Sequence, residues 1–126
     1  TECNRVLLDA YNANPSSTTA ALYAFASSGH EHPLLILGDM AELGDVSLNA
    51  HQAVVNLTQS LGMELWTVGT WYGQTEDPAM ESRWRHNHFA TMESLQIALE
   101  NNPITQRQIL VKGSRGMAME QLMPFL

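Results

Sequence analysis

The chain has 126 residues, 44% of them apolar, with 13 acidic against 6 basic side chains and a net charge of −7. One domain with its own core is expected at this length, and such a composition excludes a disordered chain. The acidic balance argues against a nucleic-acid partner, no apolar run is long enough to cross a membrane, and the single cysteine, Cys3, rules out an internal disulfide and fits a reducing cytosol.

Val6–Asp9 is the first expected strand, with Val6, Leu7 and Leu8 reading as a buried apolar run. The turn that follows ends in Asn14-Pro15. Asn accepts a bond from a free amide at a helix start, and Pro brings a preset φ to the first helical position. The helix Ser16–Ser28 carries Leu22, Phe25 and Ala26 on one side, and Gly29 with the His30–His32 stretch breaks it. Pro33–Leu37 is a second strand, ending at Gly38-Asp39. Ser47 is expected to cap a helix whose stripe is Ala50, Val54, Leu57 and Leu61, closed by Gly62. Leu65–Val68 is a third strand, and the region from Gly69 to His88 reads as irregular and polar. His88–Ala90 forms a short fourth strand, and Thr91 caps a helix bearing Met92, Leu95, Ala98 and Leu99, stopped before Pro103. Gln108–Lys112 is the fifth strand, and Gly113–Gly116 leads into a last helix with Met119, Leu122 and Met123 turned inward.

Short apolar strands alternating with amphipathic helices predict an α/β fold: a Rossmann-like three-layer αβα sandwich around a mostly parallel sheet of five to six strands. Right-handed crossovers then bring the carboxyl ends of the strands to one edge, where such sheets bind ligands. The three most unusual stretches, Asp9–Ser17, Gly38–Gly44 and Lys112–Gly116, all fall at that edge. A composite site is therefore expected there. The histidine pairs His30/His32 and His86/His88 lack a third ligand nearby and read as surface side chains, and His51 as helix-start packing. Trp66, Trp71 and Trp84 are expected to pack the third strand and the variable region.

Those three stretches, DAYNANPSS at Asp9–Ser17, LGDMAELG at Leu37–Gly44 and VKGSRGMAME at Val111–Glu120, resemble the signature blocks of the C-terminal domain of the Mur ligases. They occur in family order, and the Tyr-Asn-Ala-Asn-Pro run is similar to that of the type that adds D-alanyl-D-alanine to UDP-N-acetylmuramoyl-tripeptide. Two positions depart from the pattern: Leu8 stands where a second acid is often found, and Thr18-Thr19 where a methionine often follows. One carboxylate in the turn does not support a metal there.

The resemblance implies a cytoplasmic bacterial enzyme of peptidoglycan precursor synthesis that uses ATP and Mg²⁺. In it the peptide carboxylate becomes an acyl phosphate that the dipeptide amine attacks. It implies that Tyr11 borders the nucleotide base, that Asn12 and Asn14 contact the nucleotide, and that Asp39 accepts the ribose hydroxyls. Glu42 is a weaker candidate in the same loop. Lys112, Ser114 and Arg115 would contact the incoming dipeptide, with amides around Gly113 and Gly116 forming an anion nest and Arg115 pairing with the carboxylate. No catalytic residue is assigned.

There is no G-x-x-x-x-G-K-[ST] loop to grip phosphates. The family carries that loop in a central domain, behind an N-terminal domain for the UDP-sugar. Residues 1–126 are thus expected to be the third domain alone, a lid with no tightly bound cofactor and neither nucleic-acid nor membrane partner. A free-standing, non-catalytic nucleotide-binding domain is the alternative. A flavodoxin-like redox module would need a Gly/Ser/Thr-rich turn after the first strand, where this chain has Asn-Ala-Asn-Pro.

Overall fold

The computed structural model describes residues 3–78 and 84–126. Five segments become strands: β1 (Arg5–Asp9), β2 (Pro33–Gly38), β3 (Glu64–Val68), β4 (His86–Phe89) and β5 (Gln108–Lys112). They form one all-parallel sheet in the order β1-β5-β2-β3-β4. Three α-helices connect them: α1 (Pro15–Ser27), α2 (Ser47–Ser60) and α3 (Met92–Asn101).

Each sheet face is covered, as a parallel sheet requires. Leu22 and Phe25 of α1 and Val54 and Val55 of α2 bury Leu35, Leu37, Leu65 and Leu110 on one face. Leu95 and Leu99 of α3, with Met119 and Leu122, bury Leu34, Ile36, Val68, Ile109 and Val111 on the other. The alternation along β2 and β5 follows from the period of two in a strand. The helix starts are set locally. Asn14 Oδ1 accepts the Ser17 amide at 2.9 Å while Ser17 Oγ accepts the Asn14 amide at 3.1 Å, and Thr91 and Ser94 form the same reciprocal cap for α3.

Four sequence expectations need correction. The first strand is not buried: β1 lies at the sheet edge, and Leu7 and Leu8 are 55% and 41% exposed. Ser47 does not cap α2 but is its first helical residue, buried beneath the following turn. The last segment is not an α-helix. It is two short 3₁₀ pieces, Arg115–Met117 and Met119–Phe125, separated by Ala118 in the left-handed region at φ 50°, and Met123 faces outward. Finally, β4 starts at His86, two residues earlier than the pattern suggested, because its backbone pairs with β3 from Leu65 onward, where the Leu65 amide donates to the Arg85 carbonyl at 3.0 Å; Thr67 Oγ1 also bonds both His86 Nε2 and His88 Nδ1 at 2.8 Å. Part of the irregular region, 79–83, lies outside the described residues.

The centre of the carboxyl edge is tightly built. A Cβ on Gly38 would stand 2.6 Å from Met119 Sδ, and one on Gly113 would stand 2.7 Å from Met119 Cγ and 3.2 Å from Gly38 Cα. Glycine is needed at both places so that the ends of β2 and β5 can close over Met119.

Candidate functional site

Three loops leave the carboxyl edge side by side: Ala10–Asn14 after β1, Asp39–Gly44 after β2 and Gly113–Gly116 after β5. Each is tied to its neighbour. Lys112 is buried at the end of β5, and its Nζ donates to Asp9 Oδ2 at 2.6 Å and to the Asn12 carbonyl at 2.9 Å. The first turn is therefore clamped to β5. The Ser114 amide donates to the Asp39 carbonyl at 3.1 Å, which joins the third loop to the second.

The second loop is braced from behind. Asp39 Oδ2 and Oδ1 accept the amides of Trp71 and Tyr72 at 2.9 and 3.1 Å, capping the 3₁₀ turn Tyr72–Gln74. Gly69 must be glycine for this contact, since its φ is +125° and a Cβ there would lie 2.5 Å from Asp39 Cγ. Fully buried His51 completes the brace: Nδ1 lies 2.7 Å from the Ser47 carbonyl, and Nε2 accepts the Met40 amide at 2.9 Å. Because Met40 N–H can only donate, Nε2 must be the unprotonated nitrogen and Nδ1 the donor. Burial pushes the His51 pKa down, against smaller upward pulls from the Ser47 bond and the Asp39 charge.

In front of these braces lies an open cleft of about 470 Å³ lined by Tyr11, Asn12, Ala41, Glu42, Ser114, Arg115 and Gly116. All three signature loops contribute to it. Tyr11 is 73% exposed, and the Arg115 guanidinium sits 4.7 Å from its ring centroid, a cation–π stack across the cleft mouth. Ser114 opens the 3₁₀ turn without using its hydroxyl as a cap.

The expected site residues therefore divide. Tyr11, Asn12, Ser114 and Arg115 all line this cleft. Asp39, Asn14 and Lys112 do not line the cleft. The Asp39 carboxylate is turned to the amides of Trp71 and Tyr72 and braces the loop. Asn14 Oδ1 is engaged in the α1 cap, and the Lys112 ammonium is buried in its ion pair rather than offered to a substrate. The expected anion nest is also absent: neither Gly113 nor Gly116 has a positive φ, and the Ser114 amide is already bonded to Asp39. His51 packs at the start of α2 as expected, and it also braces the second loop. The signal for it was the Ser47–His51 spacing of four, which puts both side chains on one helix face.

Fold and cleft together define a parallel α/β domain with a composite site at the carboxyl edge of its sheet. Residues 1–115 match the family described as Mur ligase, glutamate ligase domain, and the chain belongs to that family. It is similar to the UDP-N-acetylmuramoyl-tripeptide--D-alanyl-D-alanine ligase of Treponema pallidum, with 37% identity over 95% of this chain and 27% of that protein. It superposes on MurF from Acinetobacter baumannii with a TM-score of 0.76 and 28% identity, covering 92% of this chain and 26% of that one. MurF from Thermotoga maritima in complex with ADP shares the fold at a TM-score of 0.71 and 18% identity, over 95% of this chain and 27% of that one. The chain thus spans about a quarter of the length of the relatives it matches.

Proposed function

We propose that this domain is the C-terminal part of a longer ATP-dependent ligase of the bacterial cytoplasm. That ligase joins D-alanyl-D-alanine to UDP-N-acetylmuramoyl-tripeptide in peptidoglycan precursor synthesis. The observation that carries the reading is the cleft in which all three signature loops meet, with Ser114 and Arg115 on its wall. The name of the Treponema relative supports the substrate assignment.

In this reading the peptide carboxylate is activated by ATP as an acyl phosphate, and the dipeptide amine displaces the phosphate to form the amide. Such an intermediate must be shielded from water while the amine is held within attack distance. The domain serves as the closing wall. Arg115 offers a fork of donors to the dipeptide carboxylate, and Ser114 offers a hydroxyl beside it. Tyr11 presents a flat aromatic face, and Asn12 an amide, to the nucleotide. Asp9, Asp39, His51 and Lys112 hold the loops in place. Phosphate and Mg²⁺ binding is assigned to the remainder of the longer protein: this chain has no phosphate loop, and its described residues gather no cluster of three or more metal-ligating side chains.

Arg115→Ala in the full-length ligase tests the assignment. The KM for D-alanyl-D-alanine rises about tenfold or more, while the KM for ATP stays within about twofold. Equal increases in both would overturn the dipeptide role.

A further inference from the structure

We infer that Glu42 is a second specificity residue of this cleft and takes the ammonium end of the incoming amine, so that the site reads a zwitterion rather than a carboxylate alone. The inference rests on the dipeptide reading given above and extends it to the opposite end of the same molecule.

Glu42 and Arg115 line one cleft and are both exposed to it. They do not neutralise each other. The ion pairs that lysine and arginine make among the described residues are Arg107–Glu64 and Lys112–Asp9, neither of which involves Glu42, and Arg115 rests on the Tyr11 ring instead. A cleft lined by a cation and an anion that do not pair with each other favours a ligand that carries both signs. A simple anion would meet Arg115 favourably and Glu42 unfavourably, within a chain whose net charge is already −7. A free dipeptide has its carboxylate at one end and its ammonium at the other, and it meets both groups with the right sign.

The backbone at Glu42 has an uncommon conformation. Its φ of 60° lies in the left-handed region, which a residue with a side chain seldom occupies unless its surroundings impose it. The start of the same loop is held by the bonds already described at Asp39 and Met40: the Asp39 carboxylate to Trp71 and Tyr72, the Asp39 carbonyl to Ser114 and the Met40 amide to His51. Asp39 is thereby linked directly to the loop that carries Arg115, so the two charges belong to one braced frame. The assignment concerns binding alone; no proton transfer is given to Glu42.

The experiment compares three ligands in the full-length ligase: D-alanyl-D-alanine; isobutyryl-D-alanine, in which a methyl group replaces the ammonium; and D-alanyl-D-alaninamide, which lacks the carboxylate. The wild type binds each altered ligand about tenfold or more weakly than the parent dipeptide. Glu42→Gln keeps the shape of an exposed side chain and so leaves the fold unchanged. It brings the penalty for isobutyryl-D-alanine within about twofold while retaining the penalty for the amide. Arg115→Gln gives the mirror result. A Glu42→Gln enzyme that still rejects isobutyryl-D-alanine as strongly as the wild type overturns the role of Glu42 and leaves that of Arg115 standing. A wild type indifferent to both alterations overturns the dipeptide reading itself.

Discussion

Lys112 shows how a residue's place and its use can differ. Its position, at the end of β5 and just before Ser114-Arg115, is where a substrate contact is expected. The side chain turns inward instead, so that the ammonium is 2% exposed while its partner Asp9 is 48% exposed. The pair is therefore asymmetric. Removing Lys112 leaves a half-exposed carboxylate that water can solvate, whereas removing Asp9 leaves a buried ammonium with the Asn12 carbonyl as its acceptor. Lys112→Met should cost about 1 kcal/mol, and Asp9→Ala about 3 kcal/mol. Urea midpoints of the two variants check this, and equal costs, or a larger one for Lys112→Met, would contradict it. Asp39 makes the same point. The letters Gly-Asp at a strand end locate a carboxylate at the ligand edge, but its direction is set by the amides of Trp71 and Tyr72, 32 and 33 residues along the chain. No local pattern carries that information.

Among the elements, those that depend on near neighbours were legible. Strands β2, β3 and β5 are runs of apolar residues, and the caps at Asn14 and Thr91 are specified within three residues. What depends on assembly was not. The leucines of β1 look like those of a central strand until the sheet order puts β1 at an edge. The final segment has helical spacing but ends in 3₁₀ geometry, with Ala118 left-handed and Pro124 inside the last turn. In α2 the apolar stripe suggested by Ala50, Val54, Leu57 and Leu61 is rotated in the fold. The deepest face is Ser47, His51, Val54, Val55 and Thr58, so a helix of ordinary appearance buries an imidazole.

That imidazole sets an acid limit on the domain. Burial holds the pKa of His51 below the ordinary value of 6.5, and that of His88 also, where the His86 charge adds to the burial effect. The unfolded chain takes up these protons near pH 6.5 while the folded chain resists, so the unfolded state binds more protons below that pH. Stability is then complete above about pH 6.5 and declines as the pH falls further. For His51 the reason is direct: a proton on Nε2 would face the Met40 N–H. The urea midpoint should drop between about pH 7.5 and about pH 5, and His51→Gln should flatten part of that slope. A midpoint constant over the interval would contradict the assigned protonation state.

At the scale of the molecule, the cleft is open and holds no phosphate loop, so nucleotide contact is limited to what Tyr11 and Asn12 present. The chain by itself should bind ATP with a Kd weaker than about 100 μM, since much of a nucleotide's affinity comes from its phosphates. Calorimetric titration checks this, and submicromolar binding would favour a self-sufficient nucleotide-binding domain over one wall of a larger ligase.

The ties among the three loops also bear on how this surface can change. Lys112 anchors the first turn to β5, the Ser114 amide anchors the third loop to the second, and Asp39 anchors the second to Trp71 and Tyr72. The roots of the three loops are therefore linked, and none of them shifts without its neighbours. Altered selectivity in this domain should therefore come from exchanging the outermost side chains over an unmoved backbone, and any hinge that carries the domain will carry its rim as one rigid piece.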